Sequence, residues 1–373
     1  VGIFLFGIQT YFLSKLVVYL IRILIFSIDN TLLDQEIFLT FLLGLNLIDW
    51  FSIIVVIIFQ TMLFSIGIQY NKKLINYSAI IVYVGMVIFF LTVFLSDVKT
   101  TTQAFSNILN FENLLNKNNI LPLLTVAGTI FAYFSIIIVS FGDFSRYVKN
   151  KEDLNKGNLS LILNLIIFSF FSIAIVVGSD VFLNQKFQDM DRIFTNPTDI
   201  IGKFDNLQIT IVVLFFIIIA SASTNLVANY IPSQYSLINF LPNKLNLKSS
   251  SYTISILGLI VGIFWLTVLS QIGVLSFIDT FSCFFGPLFG VIIADYYLIK
   301  NQTLSNKDLY SVETQSIYYY SRGWHIKGTY SIILGFIFSA STIWNGNLMF
   351  LQSYAWIIGA FISWVTYYLL AKK

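Results

Sequence analysis

Uninterrupted apolar runs of about twenty residues recur along this chain, and no other feature restricts its fold as severely. They fall at about 1–27, 47–69, 76–96, 121–142, 159–182, 208–230, 252–271, 273–298, 328–345 and 348–371. Hydrocarbon offers no partner for backbone N–H and C=O groups, so a segment crossing a bilayer must satisfy them within a helix or a closed barrel. These runs are continuous rather than alternating and twice the length of a barrel strand, which leaves helices. The expected fold class is therefore an all-α integral membrane protein of about ten spans. Composition agrees: 57% of residues are hydrophobic, 10% are charged and 38 are Phe, against roughly half and a quarter for the first two classes in soluble domains.

The loops between runs set the orientation, because Lys and Arg concentrate on the cytoplasmic side. One set of alternate loops and the tail carries fourteen basic residues: Lys72, Lys73, Arg146, Lys149, Lys151, Lys156, Lys244, Lys248, Lys300, Lys307, Arg322, Lys327, Lys372 and Lys373. The other set carries six, Arg22, Lys99, Lys117, Lys186, Arg192 and Lys203, beside acids such as Asp97, Asp189, Asp191, Asp199 and Asp205. The C-terminus is thus expected in the cytoplasm of a plasma or inner membrane. Residues 97–120 and 183–207 read as polar external loops, and no second domain is expected beside the membrane domain 1–371. The aromatic run Tyr318–Trp324 reads as an interfacial belt.

Several chemistries are excluded. Cys283 and His325 are each the sole residue of their type, so cysteine clusters and the HExxH pattern are absent. No Walker-type loop is present, and neither a nucleic-acid partner nor an enzymatic activity is indicated. The chain starts at Val1, inside an apolar run, without the basic n-region of a signal peptide. Ionisable groups within spans are Lys15, Asp49 and Asp279. Lys can snorkel to the interface, and both acids lie near span ends, so structural roles compete with mechanistic ones. Uncharged polar residues are more telling. Gln9 lies in the first run, Ser135 and Ser140 in the fourth, and Ser221, Ser223, Thr224, Asn225 and Asn229 crowd the sixth. Single hydroxyls usually back-bond within their own helix, but amides at 225 and 229 share a helical face and need a polar cavity to justify it.

Five stretches, in order, carry a resemblance: Phe6-Gly7-Ile8-Gln9-Thr10; Phe141-Gly142-Asp143-Phe144-Ser145-Arg146-Tyr147; Ser223-Thr224-Asn225 through Asn229 with Pro232; Gly286-Pro287-Leu288-Phe289-Gly290 through Tyr297; and Tyr319-Tyr320-Ser321-Arg322-Gly323-Trp324. Together they resemble the nucleobase–cation symporters, in the purine/cytosine and allantoin/hydantoin permease branch. The resemblance implies a twelve-helix fold of two inverted five-helix repeats plus two helices. Residues 1–96 would then hold family helices three to five, 121–298 helices six to ten, and 328–371 the final pair. On this reading the two leading helices precede Val1.

The resemblance also assigns roles. Gln9 and Asn229 match the amides that hydrogen-bond the substrate, and Phe134 matches the ring that stacks on it. Ala220, through its carbonyl, with Ser223 and Thr224 matches half of a sodium site. Two departures stand out. Leu5 replaces a stacking tryptophan one turn before Gln9, and Ala132-Tyr133 replaces a Gly-Gly pair, leaving Gly128 the nearest helix breaker. The implied function is a secondary transporter importing a small planar nucleobase-like or ureide-like solute with a cation by alternating access. No cofactor is expected beyond the coupling ion, sodium or proton, and no obligatory protein partner. A carrier of another planar amine, such as a thiamine-like compound, and a non-transporting receptor are the alternatives.

Overall fold

The computed structural model describes residues 1–372 apart from 96, 109, 111–115, 187–199, 202, 204–205, 272–273, 310 and 312. Asp189, Asp191, Arg192, Asp199, Asp205 and Lys373, which entered the charge reading, lie outside the described residues. The long helices are α1 (Gly2–Ile28), α2 (Leu47–Phe64), α3 (Ile68–Phe94), α4 (Lys117–Val139), α5 (Lys151–Lys186), α6 (Leu207–Thr224, continuing to Phe240), α7 (Leu247–Phe264), α8 (Val274–Ile293), α9 (Ile326–Trp344) and α10 (Ala355–Ala371). Among the described residues, nine helices are long and apolar enough to cross a membrane. The run expected at 121–142 is helical too, as α4.

Two boundaries depart from the apolar runs. The third run was expected to begin at 76 with Lys72 and Lys73 in a loop, but α3 begins at Ile68 and both lysines lie in its first turns. The polar stretch from Gln69 extends the helix beyond its apolar part, and Gly67 makes the corner with φ 131°, a value few residues but glycine adopt. Asn71 Nδ2 donates to Phe64 O at 3.0 Å, closing the end of α2. The expected loop 97–120 contains an eleven-residue helix, Val98–Ile108, whose Thr101 is buried.

The chain divides into two compact units, residues 1–113 with 143–271 and residues 114–142 with 272–373. In the first unit, α1 packs against α2, α6 and α7. Lipid is as apolar as a leucine side chain, so small residues that allow close backbone approach do more for such packing than bulk hydrophobicity does. A Cβ at Gly7 would sit 2.5 Å from Gly258 O, and one at Gly258 would sit 2.5 Å from the Phe6 ring. The core beside them gathers Phe6, Ile57, Phe64, Leu226, Tyr230 and Ile254.

In the second unit, α8 lies against α10 and α9. A Cβ at Gly286 would lie 2.3 Å from Trp356 O, and one at Gly290 would lie 2.1 Å from Ala360 O. Ser339 Oγ donates to Ala355 O at 2.5 Å and Ser363 Oγ to Ser331 O at 2.9 Å, tying α9 to α10. Gly128 does not break α4, which runs unbroken through it. Its missing side chain admits the Ser353 carbonyl, which a Cβ would meet at 1.9 Å. Beyond α8, Asp295 accepts from Lys300 Nζ at 2.7 Å and from Tyr367 Oη at 2.6 Å. Lys300 also lies 4.3 Å from the Tyr318 ring centroid. Part of the expected aromatic belt therefore clasps a cation, while Trp324 is exposed.

Candidate functional site

The site is built where α6 changes pitch. Residues Leu207–Thr224 are α-helical, Asn225–Tyr230 form a π-helical turn, and Ile231–Phe240 resume the α-helix. Pro232 gives a local cause: it has no N–H, so the carbonyl four residues before it loses its usual donor. The Ile231 N–H reaches Leu226 O, five residues back. Single π-turns widen the helix and reorient side chains, and they gather at functional positions. Here the widened turn holds Asn225, Leu226, Asn229 and Tyr230, all buried.

The amides form one directed chain across α1, α6 and α2. Gln9 Nε2 donates to Ser221 O at 3.2 Å, and Gln9 Oε1 accepts from Asn229 Nδ2 at 2.8 Å. Asn229 Nδ2 also donates to Asn225 Oδ1 at 2.9 Å. Asn225 Nδ2 donates to Phe6 O at 3.3 Å and to Thr10 Oγ1 at 3.1 Å. Thr10 in turn donates to Gln60 Oε1 at 2.9 Å. Two members are pinned by backbone carbonyls, which can only accept. Ser221 O fixes which end of Gln9 carries nitrogen, and Phe6 O does the same for Asn225. Both N–H groups of Asn229 are thereby engaged. Among the described residues, the second N–H of Gln9 and the carbonyl oxygen of Asn229 take no part in this chain.

The other expected residues fall as follows. Leu5 is half-buried one turn before Gln9, on the same side of α1. Phe134 belongs to the second unit, half-buried, with its ring edge-on to Tyr133 at 5.4 Å and 85°. Ser223 Oγ donates to Ala220 O at 3.1 Å, a back-bond onto its own helix. Thr224 is exposed and immediately precedes the π-turn. Ser135 is structural, its hydroxyl bonded to Ala132 O at 2.6 Å.

Three charged candidates are accounted for by partners. Lys15 Nζ lies 2.8 Å from Asp49 Oδ1. Asp49 also closes a capping box at the start of α2 with Asn46. Asp279 Oδ2 accepts from Gln352 Nε2 at 2.7 Å. Sequence reasoning passed over Gln60 and gave no role to Thr10. The available signal for Gln60 was an amide in the middle of an otherwise apolar run. Together with Ser223 it lines a cavity of about 420 Å³ in the first unit.

Comparison with known proteins adds an independent line. Residues 2–361 match the family described as permeases for cytosine/purines, uracil, thiamine and allantoin. The chain is 25% identical to a purine-uracil permease of Arabidopsis thaliana over 65% of its own length and 41% of the relative's. It is 28% identical to an allantoin permease of Bacillus subtilis over 65% of its own length and 48% of the relative's. The chain thus spans about half the length of the curated relatives it matches. Among solved structures it superposes on Mhp1, a nucleobase-cation-symport-1 family transporter in a closed conformation with bromovinylhydantoin bound. That match has a TM-score of 0.68 at 18% identity, covering 99% of this chain and 72% of that one. An inward-facing conformation of Mhp1 matches at 0.58.

Proposed function

Because the chain belongs to the family of permeases for cytosine/purines, uracil, thiamine and allantoin, we propose that it carries a small planar solute with a cyclic amide edge across a membrane, together with a cation. It is an integral membrane protein of a transport family, and catalysis has no part in this reading. The observation that carries the proposal is the directed amide pair. Asn229 donates to Gln9 at 2.8 Å with both of its N–H groups engaged. What remains is one donor on Gln9 and one acceptor on Asn229, the complement of a –NH–C(=O)– edge. Uracil, hydantoin and allantoin rings all present that edge.

Leu5 supplies an aliphatic wall one turn from Gln9. Rings stacked on aromatics gain about 0.5–1.5 kcal/mol beyond their buried area, so an aliphatic wall discriminates less by ring shape and leaves more to the amides. For the cation, the Ala220 carbonyl and the Ser223 and Thr224 hydroxyls are hard oxygen donors without a carboxylate, a set suited to a monovalent ion such as sodium. The bias of basic residues supports a cytoplasmic C-terminus.

The test is uptake and counterflow of labelled uracil, hydantoin and allantoin in proteoliposomes. Loss of one amide leaves its ligand partner unpaired, so Gln9→Ala and Asn229→Ala should each weaken binding by roughly 5- to 150-fold. Undiminished transport by the double variant would place the site elsewhere. Ser223→Ala with Thr224→Ala should abolish sodium stimulation before it abolishes binding. Uptake indifferent to sodium and collapsed by a protonophore would reject the sodium assignment.

A further inference from the structure

Tyr320 and Arg322 hold left-handed backbone, with φ of 48° and 54°, although neither is glycine. A Cβ disfavours that region, so such residues stay in it only where their surroundings hold them. The turn they belong to, Tyr318–Trp324, is closed by the Gly323 N–H on Tyr319 O at 2.8 Å and the Trp324 N–H on Ser321 O at 3.1 Å. Two side chains hold its aromatic rings. Lys300 Nζ donates to Tyr320 Oη at 3.3 Å and lies over the Tyr318 ring. His325 covers the Tyr320 ring, with centroids 4.0 Å apart.

His325 depends in turn on Tyr367. Tyr367 is 1% exposed, and its one hydroxyl proton goes to Asp295 Oδ1 at 2.6 Å. Asp295 is ion-paired with Lys300 through its other oxygen, and a carboxylate only accepts. Tyr367 Oη is therefore left with a lone pair for His325 Nε2, 3.3 Å away. That contact requires the imidazole proton on Nε2 and leaves Nδ1 bare. Nδ1 lies against the first turn of α9, where a Cβ on Gly328 would stand 2.4 Å from it. A first helical turn presents N–H groups and positive potential, not acceptors. A second proton on this ring has nowhere to point. Burial and the charges of Lys300 and Lys327 also oppose it, and Asp295, already met by Lys300, alone favours it. The phenols of Tyr320 and Tyr367 complete the surroundings of the ring.

We infer that His325 makes the turn Tyr318–Trp324 a proton-released clasp. Neutral, its ring covers Tyr320 and the turn stays closed; charged, the ring leaves the start of α9 and the turn opens. Release is local, because the Asp295–Lys300 pair and the Tyr367–Asp295 bond do not use His325. Acid on the side of the membrane that this turn faces thus loosens the turn while α8 and α10 stay packed.

His325 is the sole histidine, so nitrogen NMR of the full chain labelled at histidine, in lipid nanodiscs, reads its tautomer and titration directly. Hydrogen exchange by mass spectrometry, corrected for the intrinsic rate, reads the turn between about pH 8 and about pH 5, either side of an ordinary histidine. Neutral His325 should carry its proton on Nε2. Protection of the Gly323 and Trp324 amides should fall about tenfold with the midpoint of the histidine titration, the linkage for about one unit of proton affinity lost in the clasp. Peptides from α8 and α10 should keep their protection. His325→Gln, an uncharged donor at every pH, should keep the turn closed throughout. A proton on Nδ1, protection indifferent to the titration, or the same loss in His325→Gln overturns the inference. So does a loss shared by α8 and α10, which is unfolding rather than release. If His325→Gln does not fold, agreement or disagreement of the two midpoints in the unaltered chain decides.

Discussion

Lys15 and Asp49 are thirty-four positions apart, and each alone looked like a charge near a span end. Their pairing at 2.8 Å changes the meaning of both. Asp49 is 4% exposed and takes Lys15 on one oxygen and the Asn46 N–H on the other, at 3.1 Å. A buried pair gains little over an apolar replacement, yet removing one partner strands the other charge at roughly 3–5 kcal/mol. The Lys15 side chain keeps 29% of its exposure, so the low end applies. Asp49→Asn should destabilise the protein by about 3 kcal/mol, and Lys15→Met in the same chain should recover much of it, as read by thermal denaturation in detergent. A double variant no more stable than Asp49→Asn would show that the capping box rather than the pair matters. Gln9 and Asn229 were legible in sequence because an amide in an apolar span demands a reason. The polarity of their chain was not, because it depends on which backbone carbonyl faces which amide. Gln60 stayed hidden because its partner, Thr10, lies on another helix.

At the scale of elements, the apolar runs located every long helix but not every end. Helix ends here are set by backbone corners, such as the one at Gly67, that hydropathy alone does not see. Glycine roles were also misread, since Gly128 looked like a breaker and acts as a contact surface. Contact glycines and open glycines should therefore respond oppositely. Gly290→Ala places a Cβ 2.1 Å from a backbone carbonyl that cannot swing away, so it should lower the melting temperature and the yield of monodisperse protein. Gly157 lies in α5 with nothing within 4 Å of its added Cβ. Gly157→Ala should stabilise by about 0.5–1 kcal/mol through helix propensity alone. Equal effects at the two sites would mean that α8 and α10 do not pack through their glycines.

For the whole molecule, orientation and pH response are the open quantities that bulk measurement reaches. Cys283 is buried, so added cysteines report without removing it. Lys307→Cys should label from the cytoplasmic side and Lys99→Cys from the opposite side. The reverse pattern would invert the assignment drawn from basic residues. His325 packs against Tyr320 with ring centroids 4.0 Å apart and planes tilted by 53°, and its Nε2 lies 3.3 Å from Tyr367 Oη. Gly328 makes room for it, since a Cβ there would meet Nδ1 at 2.4 Å. Burial lowers its pKa, with Lys300 and Lys327 adding to the shift and Asp295 opposing it. The folded chain thus binds a proton less readily than the unfolded one, whose value is near 6.5. Its contribution to stability is complete above that value and declines as pH falls below it. His325→Gln should flatten the slope of melting temperature against pH on the acid side of 6.5. An unaltered slope would assign it to other groups.

The π-turn at Asn225–Tyr230 also sets the rotational phase of the rest of its helix. A wide turn of this kind is one residue more than the α-helix needs, so everything beyond it is rotated by about 100° relative to an uninterrupted helix. Similar turns occur at Trp265–Leu269 and Ala294–Ile299. At each, the loss of one residue would remove the wide turn, and every later side chain would change the neighbour it meets. Deleting Ala228 would remove one residue of the turn, so that Tyr230 and Gln234 no longer reach Ser251, contacts now made at 2.5 and 2.9 Å.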